Sequence, residues 1–317
     1  LDVEYHVSEQ LLAQLNIDKG LMTLIDSDQL QSLLKSLPPQ ADHVACGGSA
    51  ANTVATATHF GAHCFLSCRI ADDKAGHNYY DNLKSTGITS NLLHKEQGTT
   101  GKCIALISED GERSMLSYLG ITSEFNKGDI FSDELTRSQY LYIEGYLITN
   151  DCSREAMHFA KNLAVSHNVK TVLSLSDPSI VKAFHEQMID VIGEGMDIIF
   201  CNEFEAMSFC QTTSLDEAKS QIIQYAPNVL ITLGEKGSWV YAGEQWKYIT
   251  AYQNDEIDSI GAGDTFAGSY LYALSQGMSA FEAADLASYT ASQVVAQLGP
   301  RLSKQAINDI QLQLQPI

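Results

Sequence analysis

Strand-like apolar runs alternate with helical patterns through the second half of the chain. The runs are QYLYIEGYL (139–147), KTVLSLSD (170–177), MDIIFCN (196–202) and NVLITLG (228–234). Helical patterns lie between them, such as SREAMHFAKNLAVSHN (153–168), for which Ser153 is the predicted N-cap. Strands about 25–30 residues apart with intervening helices are typical of β-α-β units. The sequence therefore predicts an α/β fold with a parallel sheet.

Polar residues and glycine follow three of these runs, at Asp177, Asn202 and Gly234. In parallel sheets of this kind, ligands bind at the carboxyl ends of the strands. We therefore expect the functional site at this edge of the sheet.

Two segments break the alternation. The opening LDVEYHVS (1–8) has strand-like alternation, and residues 99–120 form two strand patterns around a turn at Asp110–Gly111. We expect them to pair outside the main sheet, as a small β lid that closes over the site and excludes water. The predicted division is a lid of residues 1–25 and 99–120 and a core of residues 26–98 and 121–317.

Charge and composition limit the classes of molecule that the protein can bind. The chain has 19 basic and 39 acidic residues, a formal net charge of −20, which repels nucleic acid and anionic membranes. No apolar run approaches the ~20 residues that span a bilayer, and no signal-peptide pattern is visible. The seven cysteines form no CxxC pair, which indicates reduced, mostly buried thiols. These features predict a cytoplasmic protein that acts on a small molecule.

The stretch DSIGAGDTF (258–266) carries the strongest chemical signal. Gly261, Ala262 and Gly263 directly precede a helical pattern, so their amides lie at a helix N-terminus, which binds anions. Asp264 then falls in the first turn, where a carboxylate adds nothing to anion affinity. It suits a general base that takes a proton from a hydroxyl attacking phosphorus. A helix-capping aspartate after a glycine turn explains the same four residues equally well.

Three further motifs each allow two interpretations. ITLGEKGSW (231–239) suits either a turn around nucleotide phosphates or a plain hairpin. Asn202 and Glu205 lie one helical turn apart, where they could hold hydrated Mg²⁺ or cap a helix beside a surface glutamate. GGSAANTVATATHFG (47–61) opens a helix, and its Asn52 suits either substrate hydroxyls or close helix–sheet packing. No GxxxxGK[ST] run is present, which excludes a P-loop enzyme.

Taken together, these motifs resemble those of a known family. DSIGAGDTFAGSYLYAL is similar to the C-terminal signature of the ribokinase-like (PfkB) carbohydrate and nucleoside kinases, and GGSAANT followed by RIADDKAG (69–76) to their N-terminal signature. The resemblance covers nearly the whole chain. It implies a three-layer α/β/α sandwich with a mainly parallel central sheet and a small β-sheet lid. It also implies a phosphotransferase with an alcohol acceptor that uses ATP and Mg²⁺.

The resemblance assigns catalytic and nucleotide roles. Asp264 would be the base, and the amides of the preceding three residues would form the anion hole: Gly261, Ala262 and Gly263. Mg²⁺ and phosphate would be positioned by Asn202 and Glu205. The residues that would line the ATP site are Thr232, Gly234 and Gly237.

The resemblance also assigns the acceptor and cation positions. The acceptor's hydroxyls would be held by Asp2, Gly47, Gly48 and Asn52. The resemblance does not assign the contacts of a purine base, which apolar and aromatic surface would have to recognise, and the candidates for that surface are Phe125, Tyr146 and Leu147. A monovalent cation such as K⁺ would be bound by a loop that includes Asp258, Gly299 and Ser303.

Within the family, the chain resembles the adenosine kinase branch in GGSAANT, YIEGYLIT and VVAQLGPRL, and in a helical insert near residues 8–36. Glu144 departs from that branch, which carries a small residue there. We expect phosphorylation of the 5′-hydroxyl of adenosine or a related ribonucleoside, in purine salvage, by a monomer or homodimer. A sugar kinase for ribose, fructose or 2-keto-3-deoxygluconate is the alternative. The intact GAGD argues against a nucleotide-binding protein without catalysis, and the absence of GxGxxG after the first strand argues against a dehydrogenase.

Overall fold

The computed structural model describes residues 1–17, 19–20, 22–92 and 96–314. Parts of the predicted lid and core, namely residues 18, 21, 93–95 and 315–317, lie outside the described residues. The chain forms two compact units. The first comprises residues 1–48, 68–85 and 92–125, and the second comprises residues 49–67, 86–91 and 126–317. The first unit is larger than the predicted lid, and the role of the lid stays a prediction.

The strands within the described residues are β1 (Asp2–His6), β2 (Met22–Leu24), β3 (His43–Ala45), β4 (Phe65–Leu66), β5 (Thr89–Ser90), β6 (Lys102–Ile107), β7 (Arg113–Tyr118), β8 (Tyr140–Glu144), β9 (Lys170–Ser174), β10 (Ile198–Asn202), β11 (Asn228–Thr232), β12 (Ser238–Ala242) and β13 (Gln245–Ile249). The α-helices are α1 (Glu9–Gln14), α2 (Ser27–Ser36), α3 (Ser49–Phe60), α4 (Lys74–Thr86), α5 (Ser132–Leu135), α6 (Asp151–Ser166), α7 (Pro178–Ala183), α8 (His185–Ile192), α9 (Glu203–Phe209), α10 (Leu215–Ile222), α11 (Ala262–Ser275), α12 (Ala280–Val294) and α13 (Lys304–Leu314).

A five-stranded mixed sheet with the order β2-β7-β6-β1-β3 lies in the first unit. Strands β6 and β7 pair antiparallel, and β1 pairs parallel with β6, as the patterns of residues 1–8 and 99–120 predicted. Apolar residues from β1 and β6 share a cluster with Leu12 of α1 and with Leu30 and Leu33 of α2. The first unit therefore has its own hydrophobic core.

The second unit contains a six-stranded sheet with the order β13-β12-β11-β10-β9-β8. Strands β8 to β11 are parallel to one another, while β12 and β13 are antiparallel additions. The prediction of an α/β fold with a mainly parallel sheet is confirmed. The predicted strands at 139–147, 170–177, 196–202 and 228–234 all form.

Helices cover both faces of this sheet because both faces are apolar. On one face Phe200 makes edge-on ring contacts with Phe266 and Tyr270 of α11. On the other face Ala160 and Ala164 of α6 belong to an apolar cluster that also contacts Leu141 of β8. The parallel strand ends therefore lie between two helical layers, as the three-layer prediction requires.

Two expectations about local structure are wrong. Helix α6 begins at Asp151 and its N-cap is Asn150, whose side chain accepts from the Ser153 amide, so the cap precedes the predicted Ser153. The cysteines are free but not mostly buried. Cys201 alone of the seven is buried, Cys152 is exposed, and the others are half-buried. Among the described residues, no helix combines the length and apolar character needed to cross a membrane.

Candidate active site

Helix α11 begins at a glycine that no other residue could replace without strain. Gly261 has φ +76°, the left-handed region, and a Cβ placed on it would collide with the backbone and ring of Pro300. The amide of Ala262 donates to the Ser259 carbonyl at 3.2 Å. The amides of Gly261 and Gly263 have no hydrogen-bond partner within the part of the chain that the structure describes. A Cβ on Gly263 would point into open space, so protein packing does not explain that glycine.

The carboxylate of Asp264 is held by the first turn of helix α3. One oxygen accepts from the Ser49 hydroxyl at 2.7 Å, and the other accepts from the Asn52 side-chain amide at 2.9 Å. The Asn52 oxygen in turn accepts from Nε of Arg301 at 2.7 Å. Asn52 is 3% exposed, so this network is shielded from water. Both ends of the Asn52 amide are used here, and its predicted contact with substrate hydroxyls stays a prediction.

Close packing of two helices makes this network possible. A Cβ on Gly268 of α11 would collide with the Thr53 carbonyl of α3, so only glycine permits this separation of the helix backbones. The aspartate and the serine that contacts it are thereby brought within hydrogen-bonding distance.

Glu144 caps helix α3 from the end of strand β8. Its Oε2 accepts from the Ala50 amide at 2.8 Å, one of the donors that a helix N-terminus leaves unpaired. Burial raises the pKa of Glu144, the hydrogen bond from Ala50 opposes this, and the negative charge of Asp264 adds to it. The departure at Glu144 thus has a local structural role within the protein.

Asn202 and Glu205 form a reciprocal cap at the start of helix α9. The Asn202 side chain accepts from the Glu205 amide at 2.8 Å, and the Glu205 carboxylate accepts from the Asn202 backbone amide at 3.0 Å and from its side chain at 2.7 Å. Glu205 is 6% exposed rather than at the surface. Burial raises the pKa of Glu205 to about 7. The hydrogen bond from Asn202 opposes this, and the charges of Asp177 and Asp264 add to it.

The acidic setting of Glu205 fits a divalent cation held through water. The charges of Asp177 and Asp264 disfavour ionisation of Glu205, and a cation would relieve that repulsion. Both Glu205 oxygens already accept hydrogen bonds from Asn202, so a water-mediated contact suits them better than a direct one. No cluster of three histidine, cysteine or acidic side chains that could hold a metal directly occurs among the residues described.

The two-glycine turn after β11 is a hairpin. The Leu233 amide donates to the Gly237 carbonyl at 2.8 Å, and β11 and β12 pair antiparallel on either side. Gly234 and Gly237 have φ of +59° and +112°, which the turn itself requires. Thr232 ends β11 and its hydroxyl donates to the Cys201 carbonyl at 3.4 Å. The hairpin accounts for both glycines, and the contact with ATP stays a prediction.

Asp258 ties the loop before Gly261 to a second loop. It is 2% exposed, and its oxygens accept from the amides of Ile260 and Gly299, each at 2.9 Å. The Ser303 hydroxyl instead accepts from the Ala306 amide at 3.2 Å, at the start of α13. The structure brings Asp258 and Gly299 together and explains Asp258 without a cation. K⁺ binding stays a prediction and has no part in the function proposed below.

The remaining predicted acceptor residues lie in both units. In the first, the Gly47 backbone lies so close to the Asp2 carboxylate that a Cβ would collide with it, and Gly48 has φ +96°. In the second, the Tyr146 hydroxyl donates to the Ser176 carbonyl at 3.3 Å. Phe125 is 4% exposed and offers little surface for stacking. The acceptor roles stay predictions.

Two residues of the site had no role assigned from the sequence. Ser49 lies three positions before Asn52, and that helical spacing is the signal that could have identified it. Arg301 lies 249 residues from Asn52, and nothing in its local sequence indicates the contact.

Comparison with known proteins gives consistent results. A model of the pfkB family carbohydrate kinases matches residues 23–307. The structure of adenosine kinase from Sinorhizobium meliloti is 29% identical, with 98% of this chain and 96% of that chain covered and a TM-score of 0.91. A probable sugar kinase from Rhizobium etli CFN 42 gives the same identity, coverage and TM-score. A 5-dehydro-2-deoxygluconokinase from Halalkalibacterium halodurans is 29% identical over 79% of this chain and 80% of its own length.

Proposed function

The chain belongs to the pfkB family of carbohydrate kinases, and on that premise we propose that it transfers the γ-phosphoryl group of ATP to the 5′-hydroxyl of adenosine or a related ribonucleoside. Membership makes it a phosphotransferase with an alcohol acceptor. The observation that carries the proposal is the position of Asp264, in the first turn of a helix whose N-terminal amides include two, those of Gly261 and Gly263, without a partner among the described residues.

Asp264 acts as the general base. Ser49 and Asn52 each donate to one of its oxygens, which fixes the plane of the carboxylate. The carboxylate takes the hydroxyl proton as the oxygen attacks phosphorus. Because both hydrogen bonds are already made, no reorganisation of Asp264 is needed at that moment.

The start of α11 stabilises the transferred group. The amides of Gly261 and Gly263 donate to the equatorial oxygens of the phosphoryl group, at the positive end of the helix dipole. The open space above Gly263 lets the group approach the backbone. Gly261, held against Pro300, fixes the direction of these donors.

Asn202 and Glu205 would hold Mg²⁺. When bound, the metal neutralises charge on the phosphates. This chain has only 19 basic residues against 39 acidic ones, so the metal rather than lysine is expected to compensate a triphosphate.

Two observations favour a ribonucleoside. Of the relatives whose names specify an acceptor, the S. meliloti adenosine kinase matches nearly the full length of both chains, whereas the H. halodurans deoxygluconokinase matches about four fifths of each. In addition, Tyr146 and Leu147 are half-buried at the carboxyl end of β8 and present apolar surface there. Stacking of a purine on such a surface is worth ~1–3 kcal/mol. That is about 5- to 150-fold in affinity over ribose, which lacks the base.

A sugar acceptor is the second candidate, because a deoxygluconokinase and a probable sugar kinase are as similar in identity as the adenosine kinase. The test is a screen for ADP release with adenosine, guanosine, ribose, fructose, 2-keto-3-deoxygluconate and 5-dehydro-2-deoxygluconate at saturating MgATP. We expect kcat/KM for adenosine to exceed that for ribose at least about fivefold. A ratio at or below one would replace the nucleoside with a sugar.

A further inference from the structure

Arg301 contacts the base of the reaction through one intermediary. Its Nε donates to Oδ1 of Asn52 at 2.7 Å, and Nδ2 of Asn52 donates to Asp264 at 2.9 Å. The three side chains form a relay from the loop before α13, across the first turns of α3, to the start of α11. All three lie in the second unit.

Arg301 and Asp264 together set the direction of this relay. The two ends of an asparagine amide have nearly the same shape, and a rotation of 180° exchanges donor and acceptor. A guanidinium group has only donors, so Arg301 requires the oxygen end of Asn52 to face it. The NH₂ end must then face Asp264. The reversed amide would place its oxygen against a carboxylate oxygen, which is repulsive.

Water is a poor substitute for Arg301 at this position. Asn52 is 3% exposed, and a water molecule can donate or accept, so it would add nothing to the preference for one amide orientation that Asp264 sets. An arginine is therefore a more stringent partner than solvent.

We propose that Arg301 is a positioning residue, which fixes the orientation of the Asn52 amide and thereby the hydrogen bond that holds Asp264 for proton transfer. The inference rests on the proposed role of Asp264 as base. It adds a residue that acts through Asn52, and it gives Asn52 a function in orienting the base.

The same loop also supports the anion-binding end of the site. Pro300 packs against the Cα of Gly261, and the Gly299 amide donates to Asp258, two residues before Ile260. Residues 299–301 therefore contact both the loop that starts α11 and the relay to the base. A substitution that keeps the arginine's shape is needed to separate these contributions.

Glutamine and methionine provide that separation. Nε2 of glutamine and Cε of methionine are the same number of bonds from Cα as Nε of arginine, so Arg301→Gln keeps a donor near the observed position while Arg301→Met keeps only the volume. Both remove the charge. We expect Arg301→Met to lower kcat about 10- to 100-fold, the scale of a misplaced catalytic group, with KM for ATP within about threefold. Arg301→Gln should keep at least about a third of wild-type kcat. Equal losses in both variants would mean that the charge matters rather than the donor, and would overturn the proposal.

A double-mutant cycle tests whether the effect passes through Asn52. In an Asn52→Ala background, Arg301→Met should change kcat by less than about twofold, because the amide it orients is absent. The same loss in both backgrounds would overturn the relay. Arg137→Met, at an exposed ion pair with Glu134, is the control and should leave kcat unchanged.

A second variant covers the case in which Arg301→Met does not fold. Asn52→Asp leaves Arg301 an acceptor but removes the donor to Asp264, and wild-type kcat in this variant would overturn the proposal. Asp264→Asn is measured in parallel. If it retains turnover, the proposed function fails. If it is inactive while the Arg301 variants are normal, the inference about Arg301 alone fails.

Discussion

The hydroxyl of Ser49 and the carboxylate of Asp264 lie 2.7 Å apart although 215 positions separate them in the chain. Helices α3 and α11 meet there because Gly268 lies against the Thr53 carbonyl. The start of α3 and the base are thus one structural assembly. Changes that disturb the first turn of α3 are therefore expected to act on catalysis.

The cap that Glu144 provides gives the first prediction. Glu144→Ala leaves the Ala50 amide without its acceptor and should lower the free energy of unfolding by about 1–2 kcal/mol, the usual cost of losing a helix cap. Since α3 carries Ser49 and Asn52, kcat should fall as well. Thermal unfolding and steady-state kinetics measure the two effects.

Glu144→Gln is the matched control, because its amide oxygen can still accept from Ala50 and no charge remains beside Asp264. It should be at least as stable as the wild type, because burial and the charge of Asp264 disfavour the ionised wild-type carboxylate. If the alanine and glutamine variants unfold alike, the cap has no energetic role.

The glycines of the anion-binding turn should separate stability from catalysis. In Gly263→Ala the new methyl group enters open space, so stability should be unchanged or rise by up to about 1 kcal/mol, while kcat falls because the phosphoryl group loses that space. Gly261→Ala should instead destabilise the protein by at least about 1–2 kcal/mol, since it strains a left-handed residue that also touches Pro300. Wild-type kcat in Gly263→Ala would show that no group approaches the amide there.

The first unit and the main sheet show what a sequence can predict. Strands β8 to β11 were predictable because each is a continuous apolar run and helices lie between one run and the next, and β6 and β7 because a turn separates them. Short strands such as β2 and β3 have three residues each and no pattern of their own, since pairing alone stabilises them.

The site was predictable where a local motif carries it, as in Gly261 to Asp264. The partners of Asp264 depend on tertiary packing, and the contact between Arg301 and Asn52 has no sequence signal. Glu205 illustrates the same limit. Its helix cap follows from spacing, but its burial depends on surrounding elements.

Glu205 should make stability depend on pH in the absence of metal. Burial raises the pKa of Glu205 to about 7 in the folded protein, above its ordinary 4.5, so the folded state keeps the proton to higher pH than the unfolded state. The free energy of unfolding should therefore fall as pH rises from about 4.5 to 7, by at most about 3 kcal/mol from this group. Glu205→Gln cannot titrate and should lack this component. Denaturation curves at pH 5 and pH 8 in chelator measure this. If the free energy of unfolding changes equally between the two pH values in the wild type and in Glu205→Gln, the assignment is contradicted.

Metal dependence should follow from the same residue. Activity should be lost in excess chelator, and Glu205→Gln should raise the Mg²⁺ concentration for half-maximal rate, because the variant lacks the carboxylate whose charge a cation would compensate. A titration of rate against Mg²⁺ at fixed ATP measures this. Full activity in chelator would show that catalysis does not require the metal.

The most direct test of Asp264 as the general base is turnover by Asp264→Asn. The variant should fold, because the asparagine oxygen can accept from Asn52 while its NH₂ group donates to the Ser49 hydroxyl, which can also accept. It has the same shape but cannot take a proton, so kcat should fall ~10²- to 10⁴-fold while ATP affinity, measured by calorimetry, stays nearly unchanged. Turnover above half the wild-type value would contradict the assignment of Asp264 as the general base.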